Sequence, residues 1–127
     1  MSTLQRILYV EDEPDIQAVA KLALEAIGGF DELVCSSGRE ALKKAAAFLP
    51  DLLLLDVMMP GMDGPSTLEA LRSIPAMRTV PAIFMTAKVQ PAEVAHYKKL
   101  GALDVIPKPF DPMALAGLVR AICEQHG

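Results

Sequence analysis

The sequence predicts an α/β fold in which one parallel sheet lies between two layers of helices. Three observations carry this reading. Short continuous apolar runs at Ile7-Leu8-Tyr9-Val10, Leu52-Leu53-Leu54-Leu55 and Ala82-Ile83-Phe84-Met85 read as strands covered on both faces. Between them, apolar residues recur every three or four positions, as on the buried stripe of a helix. Several of the ten prolines stand where those helices would open.

Taken in order, strand one is Ile7 to Val10, and the helix after Pro14 carries Ile16, Val19, Ala20, Ala23 and Ile27. A weaker strand fits Glu32 to Cys35. Ser37 and Glu40 then have capping-box spacing for a helix with Ala41, Leu42, Ala45, Ala46 and Leu49 on its stripe. Leu52 to Leu55 is strand three, and Leu68, Leu71 and Ile74 follow Pro65. Ala82 to Met85 is strand four, and Val94, Tyr97 and Leu100 follow Pro91. Strand five fits Leu103 to Ile106. Asp111 as cap and Pro112 at the first helical position open the last helix, with Leu115, Leu118, Val119 and Ile122. Five strands alternating with five helices imply right-handed crossovers and a three-layer sandwich.

A chain of 127 residues is expected to bury one core, and residues 1–127 are read as one domain without repeat or linker. The net charge of −4 leaves no basic excess for a phosphate backbone or an anionic bilayer, so neither direct nucleic-acid contact nor membrane insertion is expected. Met1 to Gln5 leads into strand one without a basic start or cleavage site, and no apolar run is long enough to span a bilayer; a cytoplasmic location is expected. Cys35 and Cys123 lack any ligand spacing and are expected as buried free thiols.

In an open parallel sheet, ligands bind beyond the carboxyl ends of the strands. Here those ends are polar: Glu11-Asp12-Glu13, Asp56, Thr86 and Pro107-Lys108-Pro109. Two carboxylates about 4 Å apart repel by on the order of 4 kcal/mol at an effective dielectric of about 20, so Glu11, Asp12 and Asp56 call for cations. Lys108 supplies one charge. Oxygen-only ligands favour Mg²⁺ for the remainder, an ion typically completed by phosphate. Asp56, on the strand read as central, is the candidate nucleophile toward phosphorus, with Thr86 and Lys108 placed to neutralise phosphoryl oxygens. Singly, a strand-end acid is commonly a helix cap, a threonine there is ordinary, and a lone lysine is commonly solvated. Four strand ends carrying them together is what points to a site, whereas Glu13, just before Pro14, is read as a cap.

The motifs Val10-Glu11-Asp12-Glu13-Pro14, Leu55-Asp56-Val57-Met58-Met59-Pro60-Gly61-Met62-Asp63-Gly64, Met85-Thr86-Ala87 and Lys108-Pro109-Phe110 resemble those of the receiver domain of bacterial two-component response regulators, over essentially the whole chain. The resemblance implies a flavodoxin-like sheet of order 2-1-3-4-5. It implies that Asp56 is phosphorylated from a phosphohistidine on a sensor histidine kinase or a histidine phosphotransfer protein. Mg²⁺ would be held by Asp12, Asp56 and the backbone carbonyl of Met58, with Glu11 acting mainly through metal-bound water. Thr86 and Lys108 would close on the phosphoryl group, Ala87 would leave it room, and the Lys108–Pro109 bond would be cis. Met58 and Lys88 would flank the pocket and tune the phosphate's lifetime. The chain would be a phospho-acceptor, not an enzyme, catalysing only its own phosphorylation and dephosphorylation. Its output would be a changed face of helix four, strand five and helix five, with His96 to Lys99 among the exposed residues, toward an unknown partner.

Three residues depart from the family pattern. Val105 stands where a Tyr or Phe usually turns inward with the threonine, Glu11 replaces the commoner Asp, and Pro107 removes a backbone donor that only an edge strand can spare. Met58, Met59 and Met62 are read as loop packing, and His96 and His126 as exposed helix residues. Three rival readings stay open: a phosphate-independent scaffold with this fold, a small Mg²⁺ phosphatase, and a flavin carrier. The second lacks a carboxylate two residues after Asp56, and the third would have Glu11-Asp12-Glu13 repelling its phosphate.

Overall fold

The structure is a computed structural model and describes residues 4–126. Residues 1–3, which belong to the stretch read as leading into strand one, and residue 127, within the span read as one domain, lie outside the described residues. Its elements are β1 (Arg6–Val10), α1 (Pro14–Lys21) running on into a π-helical segment (Leu22–Ile27), β2 (Asp31–Cys35), α2 (Gly38–Phe48), β3 (Leu52–Asp56), α3 (Gly64–Leu71), a 3₁₀ turn (Pro75–Met77), β4 (Ala82–Thr86), α4 (Pro91–Lys99), β5 (Asp104–Pro107) and α5 (Leu115–His126). The strands form one parallel sheet, as the apolar runs predicted, in the order β2-β1-β3-β4-β5 that the family resemblance implied.

Period-two alternation divides the core between the two faces of the sheet. Leu8, Val10, Leu53, Leu55, Phe84 and Val105 pack against α2, α3 and α4, whereas Ile7, Tyr9, Leu52, Leu54, Ile83 and Ile106 pack against α1, the π-helical segment and α5. Every residue of β3 and β4 is buried. That explains why these strands read as unbroken apolar runs, each large side chain contributing about 1.5–3 kcal/mol on burial. β5 is an edge, so the missing donor at Pro107 costs the ladder nothing on its open side.

Several local expectations are corrected. Leu24 is fully buried while Ile27 is exposed, because the wider π turn shifts the phase of a stripe drawn at 3.6 residues per turn, and Val19, in the regular helix before it, is exposed as well. Leu49 leaves the α2 stripe: it caps the helix at φ 54°, in the left-handed region, and is exposed. The Ser37 side chain accepts from Glu40 N as a cap should, but Glu40 reaches back to Ser36 N, one residue before the box partner. Glu13 occupies the N-cap position of α1 without a side-chain capping bond. Asp111 accepts from Met113 N and caps a turn that becomes helix only at Leu115. Cys35 is buried but Cys123 only half so, and both are free.

Glu32 is an acid where the pattern calls for an apolar residue. In register with Ile7, it points to the face covered by α1, the π-helical segment and α5. Both its carboxylate oxygens are buried with no hydrogen-bond partner among the described residues. Burial pushes its pKa from 4.5 to about 7, with Glu25 adding to the rise and Lys21 opposing it. The unfolded chain gives up this proton near pH 4.5 and the folded chain only near 7, so the folded state loses stability as pH rises across that window. Glu32→Val is expected to raise the unfolding free energy at pH 8 by about 1–3 kcal/mol, and by clearly less at pH 5. Urea unfolding at the two pH values checks this; an equal gain at both would contradict it.

Candidate functional site

The carboxyl ends of β1, β3, β4 and β5 meet on one rim of the sheet. Alternation sets the directions: Glu11 follows Tyr9, Asp56 follows Leu54 and Lys108 follows Ile106, all on the α1/α5 side, while Thr86 follows Phe84 on the other. The ladder runs past the strand ends, Glu11 N donating to Cys35 O, Val57 N to Met85 O and Lys108 N to Thr86 O, so rigid backbone holds these side chains.

Glu11 has no exposed surface, and Asp56 and Thr86 have almost none. The Lys108 ammonium donates to Glu11 Oε1 at 3.0 Å and to Asp56 Oδ1 at 3.2 Å. Glu11 Oε1 also accepts from the Tyr9 hydroxyl at 3.2 Å, and its Oε2 from Glu13 N at 3.2 Å. Asp12 completes the group: one oxygen from each of Glu11, Asp12 and Asp56 lies within 4.8 Å of the others. The sequence-predicted residues are thus brought together. Glu11, tied to three donors, is the most constrained and Asp12 the least buried.

Crowding shows in the titration behaviour. Burial, then the neighbouring Glu11, push Asp56 up from 3.8 to about 6, against the pull of Lys108. Burial pulls the Lys108 ammonium down, but Glu11 and Asp56 more than offset it, and its pKa ends above the ordinary lysine value. The oxygen-only donor set, buried and short of positive charge, suits a hard divalent cation and not a soft one.

Around this centre, Thr86 Oγ1 accepts from Lys88 N at 3.1 Å, and Ala87 and Lys88 are exposed. Met58 is 68% exposed, whereas Met59 is buried and Met62 lies against Gly38, so loop packing describes only the latter two. The loop turns at Gly61, with φ 80°. Gly64 then passes so close that a Cβ there would stand 2.5 Å from Asp56 O. The Lys108–Pro109 bond is cis. Sequence reasoning missed Tyr9 and Gln17, whose amide donates to Glu11 O at 2.5 Å. Tyr9 was findable: an aromatic hydroxyl in an otherwise aliphatic strand needs a partner, and Glu11 lies two residues on, on the same face.

The family model described as the response regulator receiver domain matches residues 7–120. The chain belongs to the receiver domains of two-component response regulators. It is 38% identical to the DNA-binding response regulator MtrA of Mycolicibacterium smegmatis, over 92% of this chain and 50% of that protein. It is 39% identical to the alkaline phosphatase synthesis transcriptional regulatory protein PhoP of Bacillus subtilis, over 93% of this chain and 48% of that one. The chain therefore spans about half the length of these curated relatives. Among solved structures, chemotaxis response regulator CheY4 of Vibrio cholerae superposes with a TM-score of 0.86 at 28% identity, covering 94% of this chain and 99% of that one. Receiver domains are signalling domains whose family function is to take a phosphoryl group on an aspartate.

In this receiver, Glu11 in place of the commoner Asp brings its carboxylate within reach of both Tyr9 and Lys108. Replacing Lys108 with Met removes the ammonium that Glu11 and Asp56 share. The apparent titration of the Asp56 side chain, followed by carboxyl-carbon NMR without divalent cations, is then expected to move upward from about 6, by about one to three pH units. An unchanged midpoint would mean that Lys108 does not set the charge of the pair.

Proposed function

We propose that Asp56 is the phospho-acceptor of this receiver. The observation that carries the reading is the single Lys108 ammonium shared between the buried Asp56 and Glu11, with Asp12 alongside, at the end of the third of five strands. Asp56 Oδ attacks the phosphorus of a phosphohistidine, presented by a sensor histidine kinase or a histidine phosphotransfer protein. The new O–P bond forms as the N–P bond breaks, and the imidazole leaves with the electron pair and picks up a proton. Lys108 stays beside the acceptor and offsets negative charge there. Thr86, by rotating its hydroxyl, donates to a phosphoryl oxygen, and Ala87 leaves that approach open. Later attack by water on the phosphorus breaks the Asp56 O–P bond, releases inorganic phosphate and returns Asp56 to a carboxylate, so the domain promotes its own phosphorylation and dephosphorylation and turns over no separate substrate.

Asp12, Asp56 and the backbone carbonyl of Met58 would hold Mg²⁺, with Glu11 acting through a water. The ion supplies charge neutralisation for the phosphoryl oxygens when bound. Glu11 also orients Lys108 and is itself fixed by Tyr9. The two core clusters on opposite faces of one sheet support reading residues 1–127 as a single domain. Among the described residues no helix is long and apolar enough to cross a membrane, which accords with the cytoplasmic setting where phosphohistidine donors act. Output runs through the α4/β5/α5 face to a partner that is not nucleic acid.

Intact-mass measurement after incubation with acetyl phosphate or phosphoramidate tests this reading. The expected result is a gain of one phosphoryl group that requires Mg²⁺ and is absent from Asp56→Asn. A protein that gains nothing under any condition would be a phosphate-independent scaffold, and a mutant that still gains the group would place the acceptor elsewhere.

A further inference from the structure

α4 is the least anchored helix of the described fold. Every other helical segment buries at least one side chain, and α4 buries none. Two half-buried residues, Val94 and Tyr97, pack it against the core. Its other ties are weak. Gln90 at the N-cap makes no side-chain capping bond, and the Lys98–Asp104 ion pair spans 3.8 Å at the surface, where such pairs hold little.

Tyr97 makes the more specific of the two contacts. Its ring meets Phe84 edge to face, with centroids 5.4 Å apart and planes at 78°, a geometry aromatic pairs favour. Phe84 is fully buried and stands two residues before Thr86, so the two side chains leave the same face of β4. Across the ladder Phe84 pairs with Val105, which is buried in the same cluster. The strand-five position next to Phe84 therefore offers a short branched side chain, and the ring that meets Phe84 comes from α4.

We infer that Tyr97 is the positioning residue through which the state of Asp56 reaches α4; the inference rests on Asp56 being the acceptor. Thr86 Oγ1 now accepts from Lys88 N. Turning toward a phosphoryl oxygen gives up that bond and vacates space on the face that Thr86 shares with Phe84. Val105 is stiff about χ1 and too short to fill it. Phe84 and Tyr97 shift as a packed pair, and α4, attached through Tyr97 and Val94, shifts with them. Burial, Glu93 and Asp63 hold the Tyr97 phenol above its ordinary pKa. Asp63 belongs to the loop that leaves β3.

Amide NMR spectra of wild type, Tyr97→Phe and Tyr97→Leu, recorded with Mg²⁺ before and after beryllofluoride, test the inference. Amides at Val57, Met58 and Lys88 are expected to shift in all three proteins. Amides from Ala92 to Lys99 are expected to shift in wild type and Tyr97→Phe, and at least threefold less in Tyr97→Leu. Dispersed spectra before addition report folding, and Tyr97→Met, whose unbranched flexible chain can fill an irregular gap, gives the same readout should Tyr97→Leu not fold. An undiminished α4 response without the ring overturns the inference and leaves the acceptor reading standing. Absence of shifts in wild type at both places overturns the two together.

Discussion

One ammonium placed between two buried carboxylates sets the terms for this molecule. Lys108 reaches Glu11 at 3.0 Å and Asp56 at 3.2 Å from the edge strand, across the width of half the sheet. With Asp12 the cluster holds three carboxylates against the one ammonium that pairs with it among the described residues, a local sum of −2. Burial makes that deficit felt, which is why the Asp56 proton is held to about pH 6. A structural ion pair would be expected to balance its charges, whereas a site that receives a divalent cation and a phosphoryl group is poised by leaving them unbalanced.

The fold serves this arrangement by making the strand ends rigid. Side chains without exposed surface fill β1 from Ile7 onward, and β3 and β4, up to the residue where the polar rim begins. The turn from polar rim to dry interior takes one residue in each case: Val10 to Glu11, Leu55 to Asp56, Met85 to Thr86. The end formed by α4 and β5 is built in the opposite manner. α4 has no buried side chain, β5 is an edge, and Val105 fills less of the interior than an aromatic would. Packing is thus tight around Asp56 and loose at α4, the segment with the fewest buried contacts to hold it in place.

Much of this was legible in the sequence because burial and alternation act residue by residue. The leucine run of β3 reads as a strand covered on both faces, and acids just beyond such strands fall on the rim. What was not legible depends on tertiary context. The π-helical segment moves Leu24 inward and Ile27 outward, and no periodicity drawn at 3.6 residues per turn reveals a widened turn. Glu40 accepts from Ser36 N, one residue before the box position, a partner that the spacing alone does not name. Glu32 read as an ordinary strand residue, since its missing partner is a property of the helices packed above it. Tyr9 holding Glu11 was within reach of the sequence through i, i+2 spacing, whereas Tyr97 on Phe84 joins residues on separate elements that no local pattern connects.

The charge deficit at the rim is open to direct measurement by titrating the wild-type protein with Mg²⁺ and following its backbone amides by NMR. The expected result is a single saturable site that shifts Asp12, Asp56 and Met58 and their immediate neighbours, while a matched increment of NaCl leaves them in place. Amides that respond to Mg²⁺ no differently from added salt would mean that Lys108 already balances the rim, and that the three carboxylates are a structural cluster.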